Sequence, residues 1–271
     1  MISVLNSVSQ LGAENALSST QASLNNALLQ LSTGLKINSG SDDAAGLSIA
    51  AGLGANISAL TQSSQNASNG VGLLQTADGA LSQVTTLLNR AVTLATEASN
   101  GGLTAAQSTA ADTEFQSILS EVTQIGSTTN FNGTSVFSAT PQTVFTSDGT
   151  TGGTTTTSTT TGALSATSLA LTGNLTSIAG ATASLTAITA AINTVSATRG
   201  SIGASVNQLT ADSSVENTEV TNLTSAQNNV QNADIGTTVA KMTQYSVLQQ
   251  TGMEALSQSN QAQQAVEKLL Q

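Results

Sequence analysis

The sequence predicts a mainly α fold: a long antiparallel helical coiled-coil rod built from the N- and C-terminal segments, with a small β-hairpin region mid-chain. Three observations carry this. Apolar residues recur at alternating three- and four-residue steps in both halves of the chain, the period of a helix with one buried seam. The middle instead carries a turn dipeptide, β-branched runs and the one proline, Pro141. Composition points the same way. Aromatics are 2% of 271 residues, while Ser, Thr, Asn and Gln together make 123, so a thick single core is hard to build.

Near the N-terminus, Ala13, Leu17, Leu24, Leu28, Leu31 and Leu35 form a thin seam. From Leu53 the pattern strengthens through Ile57, Leu60, Ser64, Ala67, Val71, Leu74, Asp78, Leu81, Thr85, Leu88, Val92 and Ala95. Val84, Leu87 and Leu94 add a second stripe, so this helix buries more than one face. The far half repeats the spacing through Leu185, Ile188, Ile192, Val195, Arg199, Ile202, Val206, Leu209, Ser213, Glu216, Val220, Leu223, Gln227 and Val230. A last helical segment, Asp234 to Leu270, has an irregular seam with Ile235, Val239, Met242, Leu248, Leu256, Val266 and Leu269.

Between these halves, Phe131-Asn132-Gly133 signals a turn, followed by the strand-like runs Thr134–Phe137 and Thr143–Phe145. Residues 146–162 contain only Thr, Ser, Gly and Asp. The β-branched threonines favour an extended strand and loop on an exposed surface, with disorder as the competing reading.

Most chemistry is excluded by absence. With no Cys there is no disulfide, thiolate nucleophile or Cys-ligated zinc; with no His, the usual base near neutral pH and the commonest metal ligand are missing. A net charge of −10 opposes binding to a phosphate backbone, so no nucleic-acid partner is expected. No run approaches the roughly 18–20 apolar residues of a spanning helix, so no membrane partner is expected either. The first basic residue, Lys36, comes too late for the charged region of a secretory signal.

Each remaining candidate has a structural reading. Asp42-Asp43 could hold a divalent cation, but at the end of a Gly- and Ser-containing loop it reads as a helix cap. Glu114 and Glu121, seven apart, read as a solvated helix face. Arg90 and Arg199 read as stems laid on apolar surface with their heads paired to carboxylates. Tyr245 reads as packing. No catalytic residue, metal site or cofactor is expected.

One long motif reaches further. The stretch Leu31-Ser-Thr-Gly-Leu-Lys-Ile-Asn-Ser-Gly-Ser-Asp-Asp-Ala-Ala-Gly46 closely resembles the N-terminal signature of bacterial flagellin. The resemblance continues through 60–70, 75–81 and Asn130-Phe-Asn-Gly133. It resumes at Thr198-Arg-Gly-Ser-Ile-Gly-Ala204, Asn222-Leu-Thr-Ser-Ala226, Val247-Leu-Gln-Gln-Thr-Gly252, Leu256-Ser-Gln-Ser-Asn260 and the terminal Leu269-Leu270. It covers roughly residues 1–145 and 183–271.

The resemblance implies a structural subunit that self-assembles into the flagellar filament for swimming motility, not an enzyme. Residues 1–42 with 232–271 would be the inner filament-core helices. Residues 43–231 would be a helical rod with a β-hairpin at about 128–182 and no outer variable domains. Leu24, Leu28, Leu31, Leu35, Leu53, Ile57, Leu60, Leu74, Leu81, Leu88, Ile192, Ile202, Val206, Val239 and Leu256 would form the subunit-packing seam. The subunit would leave the cell through the flagellar type III apparatus without a cleaved signal peptide, helped by an export chaperone. It would sit outside the cell among other flagellin subunits and junction and cap proteins. The terminal helices, unable to bury their seams alone, would order on assembly.

Arg90, Leu94 and Glu114 occupy the places through which some flagellins meet the animal innate immune receptor, although the flanking Asn89 and Ala91 depart from the sensed pattern. Their alternative role is to shape the rod and its subunit contacts. The rival within the same organelle is the hook–filament junction protein. There a Pro is expected soon after the paired Asp, where this chain has Ala44-Ala45-Gly46. The mid-chain, short and without His or Cys, gives no room for an inserted enzyme domain. An adhesive or glycan-bearing Thr-rich surface is a third reading.

Overall fold

The computed structural model describes residues 2–148 and 156–270. The protein is mainly α, with α1 (Ile2–Thr33), α2 (Ala44–Ala98), α3 (Ala105–Thr128), α4 (Ile178–Gln231) and α5 (Ile235–Leu270). Between α3 and α4 lie β1 (Asn130–Phe131), β2 (Thr134–Ser135), β3 (Gln142–Phe145) and β4 (Thr156–Thr159). Residues 149–155 of the Thr-rich stretch lie outside the described residues, as do the side chains of Val266 and Leu269.

Local chemistry sets the helix ends. Gly34, at φ 73, takes the left-handed turn that closes α1 and donates its N–H to the Gln30 carbonyl at 2.8 Å. Asp43 Oδ1 accepts the Gly46 N–H at 2.9 Å and caps α2. Thr104 and Gln107 form a capping box on α3, and Asp234 accepts the Gly236 and Thr237 amides at the start of α5. Within the helices many Thr hydroxyls donate to the carbonyl four residues back, as Thr85 does to Leu81 at 2.8 Å.

The chain divides into two compact units, Met1–Ala55 with Leu223–Gln271, and Asn56–Asn222. Both cuts fall inside helices, α2 and α4, whereas the boundaries implied by the resemblance lie in the loops near residues 42 and 232.

In the Asn56–Asn222 unit, α2 and α4 run antiparallel. Ser64 and Ser213 share a hydroxyl hydrogen bond of 2.8 Å, and Asp78 meets Arg199 at 2.7 Å. Leu60, Ala67, Leu74, Leu81, Leu88 and Ala95 of α2 are buried at steps of seven, as are Ala181, Ile188, Val195, Ile202, Leu209 and Glu216 of α4. The expected seam has one of its two α2 positions right and the other displaced by one residue. Ile57, Ser64, Val71, Asp78, Thr85 and Val92 are only half-buried; Ser63, Gly70, Ala77, Val84, Ala91 and Ala98 are buried in their place. Small side chains win because that row faces a close neighbour. A Cβ on Gly70 would stand 2.7 Å from Val144 Cγ2 and 3.1 Å from Leu209 Cδ1. Phe115, Ile118, Leu119 and Val122 of α3 complete the same core.

The strands form two antiparallel hairpins, β1–β2 and β3–β4. Asn132 and Gly133, at φ 50 and 79, make the two-residue turn with both residues left-handed that the Asn-Gly pair signals. The first strand run stops at Ser135, and Val136 and Phe137 enter the core instead. Register in the second hairpin runs from Gln142↔Thr159 to Phe145↔Thr156. Here the exposed-surface reading of the threonines fails: Thr157, Thr159 and Thr161 are buried. The Thr161 hydroxyl donates to the Val136 carbonyl at 2.6 Å, and Thr157 donates to Asp212 at 3.3 Å, so these side chains bury a methyl without leaving the hydroxyl unpaired.

Residues 160–177, irregular but ordered, are laced to α3 by side chain–backbone bonds. Asp112 accepts the Leu175 N–H at 2.8 Å, Thr123 accepts the Ala166 N–H at 3.1 Å, and Gln116 donates to the Gly173 carbonyl at 2.9 Å. This anchors Leu164, Leu169, Leu171 and Leu175 in the core.

Both α2 and α4 contain an 18-residue window apolar enough to cross a membrane, with mean hydropathies of 1.3 and 1.4. That differs from the count of apolar runs because Ala, with Leu, Ile and Val, raises the average while Gly, Ser, Thr and Asn interrupt the run. In this protein the same helices carry the core seam just described.

Candidate assembly surface

The Met1–Ala55 with Leu223–Gln271 unit is built differently. Its helices α1 and α5 pack along each other in opposite directions. Gln10 Nε2 donates to Asn260 Oδ1 at 3.0 Å, and Gln249 Nε2 donates to Gln21 Oε1. A Cβ on Gly252 would stand 3.3 Å from Leu17 Cδ1, so the helices approach closely there. The connection between α1 and α2 lies against the end of α4: Lys36 N–H donates to the Gln231 carbonyl at 2.6 Å, and Ala233 N–H to the Gly34 carbonyl at 2.9 Å. Gln227 Nε2 also donates to the Ala50 carbonyl at 3.1 Å. Beside this knot sits Ile37, buried. No helical periodicity marked it, because it lies in the loop.

Little else in this unit is covered. Leu24, Ala27, Ile37, Ala50 and Thr238 are its buried side chains among the described residues. Val8 is 64% exposed and Leu11 58%; Leu28, Leu29, Ile49, Ile235, Val239, Val247, Leu248 and Met253 are also exposed. All of these but Ile49, which lies on α2, stand on the two paired helices, and so many uncovered large apolar side chains mark a surface made to be covered by protein.

The expected packing seam therefore splits in three. Leu60, Leu74, Leu81, Leu88 and Ile202 are buried inside the chain's own core, because α2 and α4 are each other's partners; they are not free to pack between subunits. Leu31, Leu35, Leu53, Ile57, Ile192, Val206 and Leu256 are half-buried, and Leu24 is buried. Of the fifteen, Leu28 and Val239 stand exposed. Within this unit the strongest apolar exposure falls on residues that the periodic reading did not select as its seam: Val8, Leu11, Ile49, Val247 and Met253.

The charged candidates are paired or hydrogen-bonded within the chain. Arg90 clasps Glu114 through two bonds, 2.7 and 3.1 Å, joining α2 to α3. That guanidinium holds the Glu114 carboxyl below the usual carboxylate range. Leu94 does not join them at the surface; it is 4% exposed, in the core. Arg199 and Asp78 make the same two-bonded pair, at 2.7 and 3.2 Å, and Asp78 is lowered likewise. Asp42 turns back on its own loop, where its Oδ2 accepts the Asn38 and Ser39 amides at 3.0 and 2.9 Å, which lowers its pKa. Among the described residues no group of acidic side chains is arranged to enclose a metal ion.

Comparison with known proteins locates this architecture. Residues 4–142 match the family described as the bacterial flagellin N-terminal helical region, and residues 185–270 the bacterial flagellin C-terminal helical region. Flagellin of Serratia marcescens is 41% identical over 140 residues, covering 51% of this chain and 40% of that one. Flagellin 1 of Proteus mirabilis is 39% identical over 125 residues, covering 46% and 34%, and phase 1 flagellin of Salmonella naestved is 41% identical over 133, covering 49% and 26%. The matches thus span well under half the length of these relatives. The crystal structure of Bacillus cereus flagellin is similar with a TM-score of 0.50 and 26% identity, covering 56% of this chain and 88% of that one.

Proposed function

The chain belongs to the bacterial flagellin family, and on that footing we propose that it is a structural subunit of the flagellar filament, working by self-assembly outside the cell rather than by catalysis. The observation that carries the proposal is the contrast between the two units. Asn56–Asn222 encloses a large core with α2, α3, α4 and the strands and exposes three large apolar side chains among the described residues, Phe145, Ile178 and Val215, whereas nine stand exposed on α1 and α5. Covering them with the same helices of other copies removes that surface from water. A head-to-tail contact that does not close on itself yields a helical filament.

Other copies of the chain are the principal partners. Junction and cap proteins, an export chaperone and the type III route complete the expected set. In the immune-receptor reading, contact runs through Arg90 and Glu114 without Leu94. Replacing Arg90 with Ala and finding receptor reporter signalling unchanged would dismiss it.

The test of the main proposal is seeded polymerisation of purified chain, followed by sedimentation and far-UV circular dichroism. Long filaments form, and helix content rises as α1 and α5 gain partners. A chain that stays in the supernatant at every concentration, with constant helix content, refutes the filament reading.

A further inference from the structure

Glu216 breaks the core pattern of α4. It occupies one of the steps of seven held elsewhere by Ile188, Ile202 and Leu209, is 6% exposed, and lies against Ser63 of α2, itself buried. The Ser63 hydroxyl meets its Oε1 at 2.5 Å. Its Oε2 is fully buried and has no hydrogen-bond partner. An ionised Glu216 therefore puts charge on an oxygen that neither water nor a hydrogen bond reaches, and a carboxyl so placed favours its neutral form.

Ser63 faces a second acceptor. Its Oγ also stands 3.4 Å from the Phe145 carbonyl at the end of β3. One hydroxyl carries one hydrogen and cannot serve both acceptors. The protonation state of Glu216 decides between them. An ionised Glu216 accepts and cannot donate, so it takes the Ser63 hydrogen away from the Phe145 carbonyl. The same carbonyl then relies on Asn66 Nδ2 for contact with α2, at 3.5 Å. A neutral Glu216 has a hydrogen of its own to give to Ser63 Oγ, and the Ser63 hydroxyl is free to donate onward.

The charged groups around Glu216 are all acidic. Asp212 and Glu219 lie one helical turn to either side of it on α4, and Asp148 lines the same cavity from the connection after β3. From α2 come Leu60, Ser63 and Ser64, and from β4 Thr156 and Thr157, none of them charged. No basic side chain lines the cavity, and Arg90 and Arg199 are each committed to another carboxylate. Burial first, and then the charges of Asp212 and Glu219, raise the Glu216 pKa above the ordinary glutamate value, against the opposing pull of the Ser63 hydrogen bond.

We propose that Glu216, Ser63 and the Phe145 carbonyl form a proton-operated latch, in which the neutral Glu216 carboxyl donates to Ser63 Oγ and turns the Ser63 hydroxyl onto the Phe145 carbonyl, docking β3 on α2. The latch is closed with the proton bound and opens as pH rises through the Glu216 titration, because the docked hairpin holds the proton more tightly than the loosened one. Thr157 tethers β4 to Asp212 independently of Ser63, so opening loosens β3 along α2 and leaves β4 held.

Amide hydrogen exchange of the full-length monomer reads the latch, with the Glu216 titration located from the chemical shift of its side-chain carboxyl carbon. Protection factors in β3, corrected for the intrinsic pH dependence of exchange, fall about fivefold as pH rises through that titration, the effect of roughly one net hydrogen bond. Those of α3 and of β1–β2 do not follow it. Glu216→Gln, whose side-chain N–H donates to Ser63 without titrating, holds β3 at its acid-side protection at every pH. Ser63→Ala puts a small residue into the row of Gly70 and Ala77, cuts the relay and leaves Asp212 in place; the pH dependence of β3 disappears. Circular dichroism confirms that each variant is folded, and either one alone decides the matter. A Glu216 that titrates as an ordinary glutamate, a wild-type β3 whose protection ignores that titration, or the full pH dependence persisting in either variant overturns the proposal.

Discussion

Leu11 and Leu29, both on α1, offer the sharpest test of the assembly surface. They are 58% and 48% exposed, and replacing each with Gln keeps a good helix former while removing the apolar area. Fully burying a leucine contributes roughly 1.5–3 kcal/mol, so covering the exposed half of each is worth about 1 kcal/mol, or about 2 kcal/mol for the pair. Since about 1.4 kcal/mol is tenfold in an equilibrium constant, the critical concentration for filament growth rises about 30-fold in the double variant. The assay is seeded growth at a series of subunit concentrations, with the unpolymerised fraction measured after sedimentation. Asn26→Gln, also exposed on α1, serves as the matched control and changes nothing. The monomer's helix signal and melting temperature stay as in the wild type, because neither leucine supports the chain's own core. A critical concentration unchanged in the double variant, with normal filaments, refutes the argument that this exposed row is what assembly covers.

Two further outcomes follow from the Asn56–Asn222 unit. Gly126→Ala places a Cβ 1.8 Å from the Leu164 carbonyl oxygen, a clash with backbone that only a shift of residues 160–177 relieves. It lowers stability by about 3 kcal/mol in denaturant titration, while Gly79→Ala, with open space around it, does not. The pH profile has a definite sign. Asp42, Asp78 and Glu114 have folded pKa values below their unfolded ones, so their stabilisation is present above about pH 4 and is lost as pH falls through the depressed values. Glu216 runs the other way: its stabilisation is present below about pH 4 and fades as pH rises through its raised folded value. Asp78→Asn therefore flattens the acid limb of a urea midpoint against pH curve, and Glu216→Gln steepens it.

What the sequence made legible follows from what each pattern encodes. Steps of seven on α2 and α4 are visible because Leu74, Leu81, Leu88, Ile188 and Ile202 are bulky and apolar. The second α2 row was misplaced because Gly70, Ala77 and Ala91 carry almost no hydrophobic signal, although close approach makes small side chains the right ones there. Thr157 and Thr161 read as surface because their burial depends on acceptors, Asp212 and the Val136 carbonyl, that lie far along the chain. The same is true of Leu164 to Leu175. Their anchor is Asp112, Gln116 and Thr123 on α3, and no local period could announce it. The Asn132-Gly133 turn and the Asp43 cap, by contrast, are decided within four residues and were readable from sequence.

One heptad pattern serves two ends in this chain, and the difference lies in how many partners each helix finds. In Asn56–Asn222, α2 meets α4, α3 and a hairpin, and its bulky row closes to near-complete burial. In the other unit α1 and α5 meet with Gln10, Gln21, Gln249 and Asn260 between them. Amides at a helix seam stabilise less than leucines would, but their geometry admits few registers. Such a pair is specific without being self-sufficient. It aligns α1 with α5 and leaves Val8, Leu11, Leu29, Val247 and Met253 for something else to cover. A leucine-filled α1–α5 seam would hold the pair together more tightly while spending apolar residues on the pair rather than on its outer face. Amides mixed with Leu17, Leu24 and Ala27 in the pair and large apolar residues outside it are therefore one arrangement, and it suits a subunit whose stability is completed by its neighbours.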